Sequence, residues 1–378
     1  MKQKEVFIVS DNIISPLGTT TAENFGMLQK GISGIVEHRE ASMSDQPFFA
    51  SLLPTERHGA SLTTTYTRFE KLLISSIEAA LKTSPVDITD KRTILIISTT
   101  KGNISLLETN EPSDELNERI ALHTSAKLLR DYFKCVHQPI VLSNACISGS
   151  LALLMGKRMI NSGQYDHAVI TGADTISKFI LSGFQSFQAI SSSACKPFDA
   201  DRSGINLGDG AGTIILSVNP GFGSGVSISG GSTSNDANHI SGPSRTGAEL
   251  AQAIVNSMKD ANVAAGEIGF ISAHGTATMY NDEMEAQAIN LAGFSETPVN
   301  SLKGYYGHTL GAAGIIESVI SVHSVKNNLL IGSKGFETTG VSKPLNISSN
   351  LRKLSTQHCL KTASGFGGCN AAIILSKQ

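Results

Sequence analysis

Cys146, His274 and His308 are the residues whose types and neighbours best fit them for chemistry. Cys146 sits in Ile-Val-Leu-Ser-Asn-Ala-Cys-Ile-Ser-Gly-Ser, residues 140–150. A strand-length apolar run ends there, and a small-residue turn leads into residues 151–160, which read as a helix. A cysteine at such a junction faces the free N–H groups and dipole of a helix N-terminus, which favour thiolate. The sharp turn holds the sulfur above the sheet, as a nucleophile requires. A lone cysteine is more often a small buried hydrophobe, so the reading depends on partners.

Two histidines supply them. His274 lies in Ile-Ser-Ala-His-Gly-Thr-Ala-Thr after an expected strand, and His308 in Lys303-Gly-Tyr-Tyr-Gly-His-Thr-Leu-Gly-Ala-Ala-Gly. Small and hydroxyl neighbours leave room for a ligand beside each imidazole. Neither has the spacing of a metal-binding pair, so no metal is expected. The other histidines, His38, His58 and His358 among them, stand in polar or irregular surroundings and are expected at the surface. The five cysteines are odd in number and widely spaced, with no Cys-x-x-Cys pair. They form neither a disulfide framework nor a zinc site.

The elements that must position these groups follow from apolar patterning. Residues 6–9, 94–97, 140–142, 168–171 and 213–218 are strand-length runs rich in Val and Ile. Several are continuous, as in strands buried on both faces. Phe69, Leu73, Ile77 and Leu81 make one helical stripe, and 116–133 reads as a further helix. A Gly-rich break at 219–225 is followed by the same alternation. A strand is expected at 226–229, and a helix from Thr246 with Glu249 as its capping box and Leu250, Ile254 and Met258 as its stripe. Strands at 268–272, 359–362 and 371–375 complete the pattern. The result is a layered α/β fold of two pseudo-repeated halves, 1–222 with the cysteine and 223–378 with both histidines.

Composition bounds the function. The 378 residues carry a net charge of −2 and a charged fraction of 16%, with mean hydropathy +0.02. Such a chain is neither disordered nor equipped with the basic excess that nucleic acid demands. No apolar run approaches the roughly 18 residues that span a bilayer. The N-terminal apolar stretch is too short for a signal peptide, so a cytoplasmic location is expected.

The chain resembles the elongating β-ketoacyl-acyl carrier protein synthases, which have the thiolase fold with layers α-β-α-β-α. Ser15-Pro-Leu-Gly18 and Ala145-Cys146-x-Ser148-Gly149 match that family, as do Pro197-Phe-Asp199 and Gly208-Asp-Gly-Ala-Gly212. So do Ala273-His274-Gly-Thr276-x-Thr278-x-x-Asn281-Asp282, Lys303 through Gly307-His308 to Glu317, and Gly365-Phe366-Gly-Gly-x-Asn370. The resemblance implies that Cys146 takes an acyl chain from a carrier protein. His274 and His308 then stabilise the enolate left by malonyl decarboxylation, and backbone N–H groups of Cys146 and Phe366 hold the later oxyanion. It implies that Lys303 tunes the site with Glu317 as its partner, that Thr276 and Thr278 bond the pantetheine arm, and that Phe366 gates the entrance. No cofactor is expected beyond the phosphopantetheine that arrives on the acyl carrier protein. The family forms dimers, so a homodimer is expected, with a heterodimer with a ketosynthase-like subunit as the alternative.

The chain departs from the pattern where substrate is recognised. Ile205 and Ser364 stand where the family has Phe, Ser203 where it has Asp, Ala277 where it has Gly. The stretch between Ile97 and Val141 is shortened. These changes suggest an acyl chain other than an ordinary saturated one, an unsaturated or aryl-primed polyene being one candidate. Two other readings compete. A non-catalytic chain-length factor would lose the nucleophile, and a degradative thiolase would carry a second catalytic cysteine, a role for which Cys369 in Gly-Gly-Cys-Asn is a poor match.

Overall fold

The computed structural model describes residues 4–54, 65–237 and 242–378; His58 lies outside them. Eleven strands of these residues form one sheet. They are β1 (Phe7–Ile14), β2 (Thr93–Ser98), β3 (Ile140–Leu142), β4 (His167–Asp174), β5 (Gly210–Ser217), β6 (Val226–Asn235), β7 (Ile268–Ser272), β8 (Pro298–Asn300), β9 (Asn346–Ile347), β10 (His358–Gly365) and β11 (Cys369–Lys377). Their order across the sheet is β9-β8-β7-β10-β11-β6-β1-β5-β4-β2-β3. The strands before the Gly-rich break lie on one side and those after it on the other. The two runs meet through one pair, Phe7 opposite Ser227.

Pairing repeats from that junction outward. In one run β1–β5 and β5–β4 are antiparallel, then β4–β2 and β2–β3 parallel. In the other, β6–β11 and β11–β10 are antiparallel, then β10–β7 and β7–β8 parallel.

Ten helices fill the layers of the described residues: α1 (Thr21–Gln29), α2 (Arg68–Leu81), α3 (Asp114–Ile120), α4 (Leu122–Phe133), α5 (Ser148–Asn161), α6 (Lys178–Ser186), α7 (Ala248–Ala261), α8 (Met279–Leu291), α9 (Lys303–Tyr306) and α10 (Ala313–Asn327). Helices α5 and α10 touch each other and strands of both runs, so they form the middle layer. One outer face holds α2 against β1, β4 and β5; the other holds α7 against β6, β11 and β10, with α8 beside α7. This is the α-β-α-β-α layering expected. The apolar core is divided the same way, with Ile170, Ile214, Ile315, Val319 and Ile373 in the middle and Leu73, Ile77 and Ile215 outside one run. Because α10 is covered on all sides, it is buried almost all round, as an apolar helix without a polar face must be. Each fully buried Ile or Val there stabilises the fold by roughly 1.5–3 kcal/mol.

Two helix expectations are corrected. The 116–133 segment is two helices, because Ala121 leaves the helical region with ψ 132 and breaks the chain between α3 and α4. Arg119 of α3 instead reaches back to the buried Glu70 of α2 at 2.5 Å. The capping box at Thr246 does not form either. The cap residue is Gly247 at φ 70, in the left-handed region, and a Cβ there would lie 2.6 Å from the Met284 carbonyl and the Ala288 nitrogen of α8. By contrast Thr67 and Glu70 form a full capping box at the start of α2, which satisfies otherwise orphan N–H groups. Among the histidines, His38 and His358 are half-buried rather than solvated, bonded to the Ala50 carbonyl and the Ser376 hydroxyl respectively. No helix of the described residues is long and apolar enough to cross a membrane.

Candidate active site

Cys146 and His308 occupy matching junctions. Cys146 lies between β3 and α5, and His308 between β8 with α9 and α10; each follows the third parallel-paired strand of its run. Helices α5 and α10 then pack at their N-terminal ends through glycine. A Cβ at Gly314 would lie 2.3 Å from the Ser150 nitrogen, and one at Gly149 2.9 Å from the Gly311 oxygen. Only glycine permits that approach, and it draws the two junctions together. The Cys146 turn is tight, with Ala145 at φ 44. His274 follows the end of β7, and Phe366 heads the β10–β11 hairpin.

The reactive nitrogen and sulfur atoms of Cys146, His274 and His308 all lie within 4.8 Å of one another, and all three residues are buried. The imidazole centroids are 5.2 Å apart with planes at 82°. Surroundings fix the tautomers. His308 Nδ1 accepts from the Leu310 N–H at 3.3 Å, so Nε2 carries the proton, and Nε2 has no partner among the described residues. His274 Nδ1 faces the Lys303 ammonium at 3.4 Å, so its proton too belongs on Nε2. Burial first, and then the Lys303 charge, hold both imidazoles well below their ordinary pKa. The site therefore presents two neutral N–H donors beside a thiol.

The thiolate expected from the helix terminus is not what this site holds. Burial pushes the Cys146 thiol up to about 12, and Lys303 only partly opposes it. Desolvation of a buried sulfur outweighs a dipole that falls off within one turn. The Phe366 N–H bonds this sulfur. Gly365 lets the two approach, since a Cβ there would lie 3.0 Å from the Cys146 nitrogen.

Lys303 and Glu317 are not a surface pair. Lys303 is completely buried and donates to the His274 carbonyl at 2.8 Å and to Glu317 Oε1 at 2.6 Å. Both stand behind His274, outside the cavity wall.

That cavity, about 330 Å³, is lined by Cys146, both imidazoles, Thr276, Thr278, Ile205 and Phe366, together with Ser364. The Thr276 and Thr278 hydroxyls bond each other at 2.8 Å. Phe366 is 43% exposed at the mouth, stacked on Phe184 and edge-on to Phe187. Asn281 also lines the cavity, and its amide nitrogen has no partner among the described residues.

Sequence reasoning missed the buried carboxylates that shape the loops. Glu285 accepts the N–H groups of His274 and Gly275 at 2.8 and 2.7 Å, and Asp282 accepts those of Thr276 and Phe198. Asp174 binds the Gly311 N–H at 2.7 Å and pairs with Lys101. It also missed Lys361. A helical spacing of Asp282 and Glu285 on an otherwise apolar face was the available signal for the first two.

The three clustered groups could in principle bind one metal ion. The chemistry argues otherwise: the thiol is held neutral, and two buried lysines share one carboxylate nearby. Such a field opposes a dication.

A cysteine and two neutral imidazoles on this layered scaffold define a thiolase-fold condensing enzyme of the acyltransferase type. Two family profiles match, Beta-ketoacyl synthase, N-terminal domain, over 125–219 and Beta-ketoacyl synthase, C-terminal domain, over 226–337. The chain belongs to the β-ketoacyl synthase family. It is 26% identical over 413 aligned residues to the 3-oxoacyl-[acyl-carrier-protein] synthase 2 of Vibrio harveyi, covering 100% of this chain and 99% of the relative. Among solved structures it is similar to a ketosynthase in complex with its chain length factor from Xenorhabdus doucetiae, with TM-score 0.88, 25% identity and coverage of 99% and 98%. A β-ketoacyl synthase from Burkholderia phymatum superposes with TM-score 0.90 at 24% identity, covering 99% of this chain and 100% of that one.

Proposed function

We propose that the chain is a catalysing 3-oxoacyl-[acyl-carrier-protein] synthase. The observation that carries this is the buried cluster of Cys146, His274 and His308, with their reactive atoms within 4.8 Å of one another and both imidazoles held neutral. In the first half-reaction Cys146 sulfur attacks the thioester carbonyl of an acyl carrier protein. The C–S bond to pantetheine breaks, and the thiol proton leaves with the departing sulfur. The N–H groups of Cys146 and Phe366 receive the oxyanion.

In the second half-reaction a malonyl thioester loses carbon dioxide and leaves an enolate. Its oxygen accepts from the Nε2–H groups of His274 and His308, which the site holds neutral. Aimed donors in a dry site act where charge develops, and removing one such donor costs roughly 3–4 kcal/mol. The enolate carbon attacks acyl-Cys146, the C–S bond breaks with its electron pair going to sulfur, which takes up a proton from water to return to the thiol, and a 3-oxoacyl carrier protein leaves. Thr276, Thr278 and Asn281 offer polar groups to the pantetheine amides, and Phe366 closes the mouth.

The carrier protein is the partner this chemistry requires, and the family resemblance favours a dimer. A second reading, a non-catalytic chain-length-factor-like subunit, draws on the similarity to a ketosynthase–chain length factor complex. Retention of Cys146 with both histidines speaks for the catalytic role. Ile205 and Ser364 line the cavity in place of two aromatics, which supports an acyl chain other than an ordinary saturated one. Incubation of the purified chain with malonyl and acyl carrier proteins tests the role: a 3-oxoacyl product expected from this chain alone or with a partner subunit disappears with Cys146→Ala. Product that persists in that variant contradicts it. Saturated and polyenoyl substrates offered side by side test the acyl chain, and a preference for the saturated one rejects that part.

A further inference from the structure

Lys361 is a buried cation that neither the reaction scheme nor the motifs use. It lies in the middle of β10, no part of its side chain reaches solvent, and its Nζ is 2.7 Å from Glu317 Oε2. The other oxygen of that carboxylate holds Lys303 at 2.6 Å, and Lys303 in turn lies against the carbonyl and Nδ1 of His274. The Thr362 and Ser272 carbonyls complete the Lys361 shell. Lysine, with its stem and desolvated ammonium, is almost never enclosed unless it is paired.

Two lysines on one carboxylate leave one positive charge uncancelled. Lys303 with Glu317 alone would form a neutral pair with little field at the imidazoles. With Lys361 on the second oxygen, the cluster behind His274 carries a net charge of +1. We propose that Lys361 is a positioning residue of this site, which occupies Glu317 so that the Lys303 charge stands uncancelled against His274. The surplus holds His274 and His308 as neutral Nε2–H donors, and it lies on the side where the enolate develops. The inference rests on the catalytic reading above for its purpose, but not for its electrostatics.

The other charged groups facing the pair are accounted for. From α8, Glu285 accepts the His274 and Gly275 N–H groups and the Thr362 hydroxyl, and its charge acts on Lys361, beyond the three-residue count of Lys303, Glu317 and Lys361. Asp282 binds the Thr276 and Phe198 N–H groups and lies 4.0 Å from Arg202. On the His308 side Lys101 faces Asp174 at 3.1 Å, and its charge adds to that of Lys303 and Lys361 in lowering His308. Cys146 is an uncharged thiol. Burial comes first in keeping both imidazoles neutral, and Lys303 and Lys361 both add to it.

The test follows the histidine ring signals by NMR, with labelled histidine and no substrate, in the wild type, Lys361→Met and Lys361→Gln. Glu317 keeps Lys303 in both variants, and Gln retains a donor to Glu317, so folding is expected and is checked by the melt. Removal of one nearby charge should raise the midpoints of His274 and His308 by about one pH unit. The double variant Lys361→Met, Glu317→Gln restores the charge count and should titrate like the wild type. Midpoints unchanged in both single variants, or raised equally in the double variant, would overturn the proposal. The acid limb of kcat for condensation should move with the midpoints while KM for the malonyl substrate stays put. A wild-type chain with no condensation activity defeats the catalytic reading and leaves the titration comparison standing.

Discussion

The glycine contact between α5 and α10 carries the relative placement of Cys146 and His308, so Gly314→Ala tests it directly. An alanine Cβ at 314 would stand 2.3 Å from the Ser150 nitrogen and 2.9 Å from the Gly149 carbonyl carbon. Ordinary contact begins at 3.4 Å, so the helices must separate by 3.4 − 2.3 = 1.1 Å at that point. The Ser150 Oγ at 2.5 Å can rotate away, but the two backbone atoms cannot. Helix α5 begins at Ser148, two residues after Cys146, and α10 begins at Ala313, five after His308. The opening therefore falls between sulfur and imidazole. Overpacking of this kind costs about 1–3 kcal/mol of stability. A misplacement near 1 Å of reacting groups costs on the order of 100-fold in rate. The assay is kcat for 3-oxoacyl carrier protein formation beside a thermal melt. Gly26→Ala is the control, since no atom lies within 4 Å of a Cβ there and alanine favours helix α1. A Gly314→Ala enzyme with wild-type kcat and an unchanged melt would refute the reasoning.

Further outcomes follow from the same geometry. Because burial holds the Cys146 thiol near 12, about one part in 10⁴ is thiolate at pH 8. Alkylation by iodoacetamide should thus accelerate tenfold per pH unit well past pH 9, and a plateau near 8.5 would contradict this. Gly365→Ala should lower the acylation rate without moving the melt much, because its Cβ crowds the Cys146 nitrogen; unaltered acylation kinetics would count against the oxyanion assignment. Arg119→Ala strands the fully buried Glu70 and should cost about 3 kcal/mol in urea unfolding. Burial opposes the Glu70 charge, but Arg119 and Ser125 outweigh it and hold the carboxyl below its ordinary 4.5. A lowered folded-state value means stability present above pH 4.5 and lost as pH falls further, so wild type and Arg119→Ala should converge in acid. Curves that stay parallel down to pH 3 would reject that account.

The fold was legible where local pattern and tertiary burial agree. Ile140–Leu142 and Ile268–Ser272 are strands over the residues their apolar runs mark. The α2 stripe begins at its own capping box. Pattern failed at Ala121, where a backbone turn lets Arg119 reach Glu70 across 49 residues, and at Gly247, where α8 packs too closely for a side chain. Cys146, His274 and His308 were legible because glycine and hydroxyl neighbours flag the space a ligand needs. Lys361 was not, since Leu-Lys-Thr in a strand gives no sign that the lysine points inward to a carboxylate on α10. The thiol's protonation was misjudged for a related reason. A helix terminus is visible in sequence, whereas desolvation is a property of the assembled layers.

The most direct test of the central claim is intact-protein and peptide mass spectrometry after exposure to an acyl carrier protein, with wild type and Cys146→Ala compared. The account predicts one acyl group per chain, carried on the peptide that contains Cys146 and absent from the variant. Acylation at Cys369, or none at all under conditions where the partner subunit and carrier protein are both present, would contradict it.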